Sequence, residues 1–295
     1  MMLPFVTHVQ AQGGLRYTVQ VSDFENRAGA SARWNLGDAW DAVLTERLNN
    51  SGHFIVIATA DMRNRAMDEQ DLAQSGRVVT GDKTAKTGLM TPAQLIIKGT
   101  IDSFDDGTSG KGANARVQGI GLRFKGGASI ISGTVSLVDV TTGQEIASHR
   151  FEEKVRQAGV RVTVQDVDYA GDFDAFKKTP AGRVIAKACD NVIAFLKDRL
   201  PSITWRGKVI KARGETILIN RGTREGVSVG DILRVGFVEE IRDPDTGELL
   251  DQDLVSKGFL RVTRVKEKIS YCAPHAENGK KPYKAKEGQT VFHRE

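Results

Sequence analysis

Cysteine is scarce. Cys189 and Cys272 are the only two in 295 residues, which excludes a disulfide framework, and neither stands in a CxxC or Cys/His spacing that would suit structural zinc. Long apolar runs are missing as well. No stretch approaches the roughly 18 consecutive apolar residues that a spanning helix needs, so a helical membrane protein is excluded. Positive charge is nearly balanced: 24 Lys+Arg face 23 Asp+Glu over residues 1–202, and 18 face 14 over 203–295. There is no basic arm, and the aromatics (6%) do not interleave with Lys and Arg, so nucleic acid is not an expected partner. Hydrophobic residues (40%) and charged residues (27%) sit near globular values, and at roughly 100–200 residues per domain the length predicts two domains.

Catalytic templates are equally thin. The stretch Gly76-Arg-Val-Val-Thr-Gly81-Asp82-Lys83-Thr84 resembles a phosphate loop, but Asp82 displaces the lysine by one place and sets a negative charge where amides should cradle phosphate. It reads as a polar loop. Asp243-Pro244-Asp245-Thr246-Gly247 opens like a calcium loop, yet lacks a third oxygen donor before the glycine and has Leu254 where the loop's closing glutamate would stand; a turn with proline in its second place explains it better. The five histidines are isolated in sequence and no Gly-x-Ser-x-Gly elbow exists. No enzyme activity, cofactor or metal is expected.

What is present is an alternation of strands and helices. Residues 1–14 form a segment ending in the small-x-small pattern Val9-Gln10-Ala11. It fits the tail of a secretory signal without its positive start, or an unstructured terminus. Tyr17–Val21 reads as a strand. Gly37–Ser51 reads as a helix, because Trp40, Val43, Leu44 and Leu48 recur on one face. Phe54–Ala58 reads as a strand buried on both faces, Asp61–Ser75 as a polar helix, and Leu95–Phe104 as a third strand. Gly133–Val140 and Ile146–Val155 form a hairpin around Thr141-Thr142-Gly143. Pro180–Leu200 is the strongest helix, with proline in its first turn and Val184, Ile185, Ala188, Val192, Phe195 and Leu196 on one side. From 203 onward short strands punctuated by Gly222, Gly226 and Gly230 predict a small all-β, SH3-like barrel. The fold class is α+β: a mixed sheet flanked by helices (15–202), two long hairpins, and the C-terminal barrel (203–295).

The hairpins fall near 108–138 and 155–176. In the second, Val160, Val162 and Val164 alternate with Arg161 and Thr163; past the tip, Val167, Tyr169 and Phe173 alternate with Asp166, Asp168 and Asp172. Ten residues per arm at a 45° tilt climb roughly 25 Å, the apolar height of a transmembrane β-barrel. The valines, Tyr169 and Phe173 would face lipid, and Arg161, Thr163, Asp166, Asp168 and Asp172 would face water. A soluble sheet packing on the protein's own helices gives the same alternation. In the first hairpin, arms Gly112–Phe124 and Ala128–Val138 place Arg116 and Gln118 on the face of Ile120 and Leu122, a costly arrangement in hydrocarbon.

Four blocks together resemble the curli production assembly/transport component (CsgG) family over about residues 15–200: Val21-Ser-Asp-Phe-Glu-Asn-Arg-Ala-Gly29, Leu48-Asn-Asn-Ser-Gly52 before Phe54-Ile-Val-Ile57, Ala93-Gln-Leu-Ile-Ile-Lys-Gly99-Thr-Ile101, and Val138-Asp-Val-Thr-Thr-Gly143-Gln-Glu-Ile146. The resemblance implies a periplasmic domain that assembles into a homo-oligomeric ring. Each subunit would give two hairpins to a shared outer-membrane barrel in contact with lipid, through which unfolded polypeptide is secreted. It also implies a constriction in the loop after the first strand, here residues 26–36, with Trp34 and Asn35 as candidates. The family's channels carry an N-terminal cysteine anchor, which these first residues do not show, and the family also includes soluble periplasmic scaffolds that contact envelope assembly proteins. Asn220-Arg-Gly-Thr-Arg-Glu-Gly226 with Gly230-Asp-Ile-Leu-Arg-Val235 is similar to the C-terminal domain of the flagellar assembly protein T family.

Overall fold

The computed structural model describes residues 15–29, 35–79, 81, 84–106, 114–117, 120–123, 128–156, 172–203, 205–277 and 281–293. They fall into two compact units, Thr18–Ser202 and a second that takes in Tyr17 and Ile203 onward.

The first unit contains β1 (Tyr17–Val21), β2 (Glu25–Asn26), α1 (Leu36–Asn50), β3 (Phe54–Val56), α2 (Ala60–Gln74), β4 (Leu95–Asp105), β5 (Asn114–Val117), β6 (Ile120–Arg123), β7 (Ala128–Asp139), β8 (Glu145–Arg156), α3 (Phe173–Lys178) and α4 (Pro180–Arg199). Its sheet runs β3-β1-β4-β7-β8, with β2 paired to β4. β1 and β4 are parallel, whereas β4, β7 and β8 are mutually antiparallel neighbours. α1 forms where its apolar spacing predicts, and Trp40, Val43, Leu44 and Leu48 are all fully buried. Asp38 in its first turn and Arg47 in its last complement the helix dipole. α4 opens on Thr179, whose hydroxyl accepts from the Gly182 N–H at 2.9 Å, followed by Pro180. It packs on β7, β8 and α1. The β7–β8 turn closes as expected: Asp139 Oδ1 accepts from Thr141 and Thr142, and Gly143 takes φ 72°.

The core of this unit is an aromatic sandwich on a floor of glycine. Trp40 stacks on Phe151 at 4.8 Å with planes 15° apart and meets Phe24 at 5.3 Å. Gly99 and Gly133 make the floor: a Cβ on Gly99 would lie 2.5 Å from the Phe24 ring and overlap the Thr134 carbonyl, and one on Gly133 would lie 2.6 Å from the Phe151 ring and overlap the Thr100 carbonyl. Only a missing side chain lets these rings lie flat on the strands.

Three expectations are corrected. β3 is the margin of the sheet, and of its residues only Phe54 is buried, so its apolar run does not mark a central strand. Ala128–Asp139 is not an arm of the first excursion's hairpin but an inner strand paired with β4 and β8, its core role explaining its continuous burial. The pairing in the first excursion is instead β5 with β6, Val117 opposite Ile120. Finally, the alternation extended to Asp172 and Phe173 ends in a helix. Asp172 caps α3, its Oδ1 accepting from Ala175 N–H at 2.8 Å, and Phe173 is its first residue, under the Lys177 ammonium at 4.8 Å. Capping, with acid in the first turn and Lys177 and Lys178 in the last, outcompetes two-residue periodicity here.

The second unit is a closed barrel of β9 (Arg206–Arg213), β10 (Thr216–Ile219), β11 (Ile232–Arg242), β12 (Leu249–Val265), β13 (Ser270–His275) and β14 (Thr290–His293), in the cyclic order β10-β13-β12-β11-β14-β9. Closure removes free strand edges. Val209, Ile217, Ile219, Leu233, Leu260 and Val291 fill it. β14 stops pairing with β11 at Gly236, so from Phe237 to Arg242 β11 pairs with β12 alone and the two form a ribbon. Its tip is the expected turn, with Asp243 Oδ1 accepting from the Asp245 and Thr246 N–H groups at 2.8 Å. Both cysteines are buried; burial pushes Cys272 up to about 12 and Cys189 upward too, so neither thiol is a poised nucleophile.

Candidate functional site

The sheet registers bring the two excursions to one place. Asp105, the last residue of β4, lies opposite Ile130 of β7, and Ala128, the first of β7, lies opposite Arg156, the last of β8. The chain therefore leaves β4 and re-enters β7, and leaves β8, at the same end of three adjacent strands. Ser129 Oγ donates to the Asp106 carbonyl at 2.7 Å and Ser103 and Ser132 hydroxyls meet at 2.6 Å, so this end is tied together. Within the first excursion, β5 and β6 pair antiparallel, with Asn114 opposite Arg123 and Val117 opposite Ile120, where the sequence reading runs one arm through this segment.

The loop after β1 is anchored at both ends. β2 pairs with β4, the Arg27 N–H reaches the Ile101 carbonyl, and Arg27 and Glu25 pair at 2.6 Å. Asn35 is the N-cap of α1, its Oδ1 accepting from the Gly37 N–H at 2.9 Å while the residue stays exposed. Trp34 lies outside the described residues. So do Val160, Arg161, Val162, Thr163, Val164, Asp166, Val167, Asp168 and Tyr169. Of the candidate residues, then, the structure places Asn35, Asp172 and Phe173, each at a helix N-terminus.

One buried group was not anticipated. Asp41, next to Trp40 on α1, has a carboxylate that accepts from the Phe24 backbone N–H, while its Oδ1 is enclosed with no hydrogen-bond partner among the described residues. Burial first, then the nearby Asp23 and Asp38 charges, push its pKa from 3.8 to about 7. The sign follows from linkage. Below about pH 4 both folded and unfolded chains hold the proton; between there and about 7 the unfolded chain releases it first, so stability falls as pH rises. Asp41→Asn should therefore raise stability by roughly 2 kcal/mol at about pH 8, a figure discounted because the carboxylate is only half-buried, and by little at about pH 4. Urea unfolding of both proteins across this range checks it. The signal in the sequence was a carboxylate beside the buried tryptophan, three places after Asp38.

Among the described residues no group of three or more His, Cys, Asp or Glu could hold a metal ion, and no helix is long and apolar enough to cross a membrane. The family model of the curli production assembly/transport component CsgG matches residues 5–224. The chain belongs to the CsgG family. The other comparisons are distant. A hypothetical protein, CT253, from Chlamydia trachomatis is 16% identical with a TM-score of 0.42, covering 63% of this chain and 99% of that one. A PelC dodecamer from Paraburkholderia phytofirmans is 13% identical with a TM-score of 0.29, covering 59% and 86%. Lipoprotein GNA1162 from Neisseria meningitidis is 10% identical with a TM-score of 0.26, covering 63% and 99%. No curated protein matches. The CsgG match takes in the whole sheet, both excursions and the loop after β1, and ends at residue 224, inside the barrel segment.

Proposed function

We propose that this CsgG-family chain is one subunit of a homo-oligomeric envelope channel that passes unfolded polypeptide across the outer membrane by passive diffusion. The observation that carries the reading is the common point of departure: two excursions, between Asp105 and Ala128 and between Arg156 and Asp172, leave one end of a rigid three-strand ladder. Copies arranged around an axis would bring those pairs together as neighbouring staves of one barrel. Val160, Val162, Val164, Val167 and Tyr169 then meet lipid, and Arg161, Thr163, Asp166 and Asp168 line the water-filled bore. The loop 26–36, with Trp34 and with Asn35 pinned as a helix cap, narrows the path. No nucleotide, metal or cofactor enters this mechanism, since a preformed pore needs none.

A soluble periplasmic ring or assembly scaffold is the second reading. In it the same two excursions would pack subunit against subunit, since a soluble sheet gives the alternation of Val160, Val162 and Val164 as well.

Conductance across planar bilayers separates the two. The wild-type chain should give stepwise channels, and Val162→Arg should lose them, because a cation on the lipid face costs about 2–4 kcal/mol in every subunit at mid-depth. Electron microscopy of the same preparations in detergent and in plain buffer shows whether a ring persists. Channels from Val162→Arg equal to wild type, or a ring that forms only without detergent and never conducts, would reject the pore.

A further inference from the structure

The barrel unit holds a cleft of about 280 Å³ that the channel reading leaves unused. One wall is Arg206, Gly207 and Lys208 of β9 with Thr290 of β14; the other is Glu240 and Gln252 of the β11–β12 ribbon, and Arg221, just past β10, closes the end. Three cations and one carboxylate thus line it. The carboxylate is already neutralised, since Glu240 Oε2 receives both Nε and Nη2 of Arg242 at 2.9 and 2.8 Å.

Arg221 and Lys208 are held by neutral oxygens. Arg221 donates through Nε to the Arg206 carbonyl at 2.9 Å and through Nη1 to the Asn220 carbonyl at 3.0 Å. Lys208 donates to Thr290 Oγ1 at 2.9 Å, and Arg206 to Gln252 Oε1 at 2.6 Å. Neither Lys208 nor Arg221 makes a salt bridge to a carboxylate among the described residues; Glu225, the acid that acts on Arg221 from a distance, is bonded to Arg224. The seat of Arg221 is built into the backbone. Its Cγ lies 2.8 Å from where a Cβ on Gly207 would stand, so glycine at this strand position leaves the room in which the guanidinium stem lies. Burial works against the charge of Arg221, a cost that a barrel of this size could avoid with an apolar residue.

We propose that this cleft is an oxyanion site that binds a phosphate group, with Arg221 as its fixed fork and Lys208 and Arg206 as flanking charges. Guanidinium groups suit phosphate by offering parallel N–H donors, and a lysine adds a mobile third donor. At about 280 Å³ the cleft holds a phosphate with room for part of the group that carries it, and is far short of an extended polyanion track. Two sources carry this chemistry: free inorganic phosphate and the phosphomonoester headgroup of a membrane lipid. The site belongs to the barrel alone and stands whether or not the hairpins form a pore.

The test uses the full chain. Isothermal titration with sodium phosphate, against sodium chloride at matched ionic strength, should show saturable binding. Lys208→Gln, an exposed change that leaves the barrel core intact, should weaken it about tenfold, Arg221→Gln should abolish it, and Lys268→Gln, outside the cleft, should leave it unchanged. Co-sedimentation with phosphatidylcholine vesicles doped with phosphatidic acid distinguishes the sources. Vesicle binding lost in Lys208→Gln assigns the lipid headgroup, whereas phosphate binding without vesicle binding assigns the free ion. Absence of saturable phosphate binding in the wild type, or binding that Lys208→Gln leaves unaltered, overturns the proposal.

Discussion

Trp40→Ala should cost the α/β unit about 3–5 kcal/mol and lower its melting temperature by ten degrees or so. The indole is fully buried, stacked on Phe151 and tilted against Phe24, so truncation removes both ring contacts at once. Relaxation cannot refill the space easily. Phe24 and Phe151 already rest against Gly99 and Gly133, whose strands have no side chain there to swing inward. The residual cavity therefore stays large, which places the cost toward the upper part of the usual range for aromatic truncation. Guanidinium unfolding followed by circular dichroism measures it. A loss below about 1 kcal/mol would mean that the sandwich contributes little and that the sheet is held elsewhere.

Glu225→Ala should destabilise the barrel by roughly 3 kcal/mol, more than its place in a short turn suggests. Its side chain is 3% exposed and satisfies one buried and one part-buried donor: Oε2 receives the Gly222 N–H at 2.9 Å, and Oε1 receives Arg224 Nε at 2.7 Å. Removing the carboxylate leaves the buried Gly222 amide without its acceptor and takes the counter-charge from Arg224. The same turn is pinned to the β12–β13 connection, the Thr223 and Arg224 N–H groups meeting the Lys266 and Glu267 carbonyls at 3.0 Å, so it cannot swing out to water. Glu225→Gln, which keeps the shape and one acceptor, should recover part of the loss. Differential scanning calorimetry of the three proteins gives the comparison, and equal melting of Ala and Gln variants would contradict the account.

Where one face of an element is buried against a single layer, its residues announced it. α1 and α4 were legible because Trp40, Val43, Leu44 and Leu48, and then Val184, Ile185, Ala188, Val192 and Leu196, recur at helical spacing and are buried in the structure. Errors arose where two periodicities compete. β7 is buried on both faces, so its continuous run looked like half of a separate hairpin; only the pairing with β4 and β8 reveals an inner strand. At Asp172 an alternating pattern runs into capping chemistry, and the cap wins. β13 carries Pro274 opposite Leu260, a residue type that argues against a strand in sequence yet leaves the barrel closed here. The segments to which the CsgG resemblance points, a loop and two excursions, are bracketed by blocks of residues legible in the sequence. Asp41 and the Arg221 cleft could not, because both depend on residues far apart in sequence meeting at one spot.

The joint end of β4, β7 and β8 also has a mechanical meaning. A pull on either excursion along the strand direction would enter the sheet at this end. It loads the ladder from Leu95 to Asp105 and from Ala128 to Arg156 in shear, so that many bonds must yield at once instead of unzipping singly. Both excursions are thus joined to the sheet along its stiffest direction.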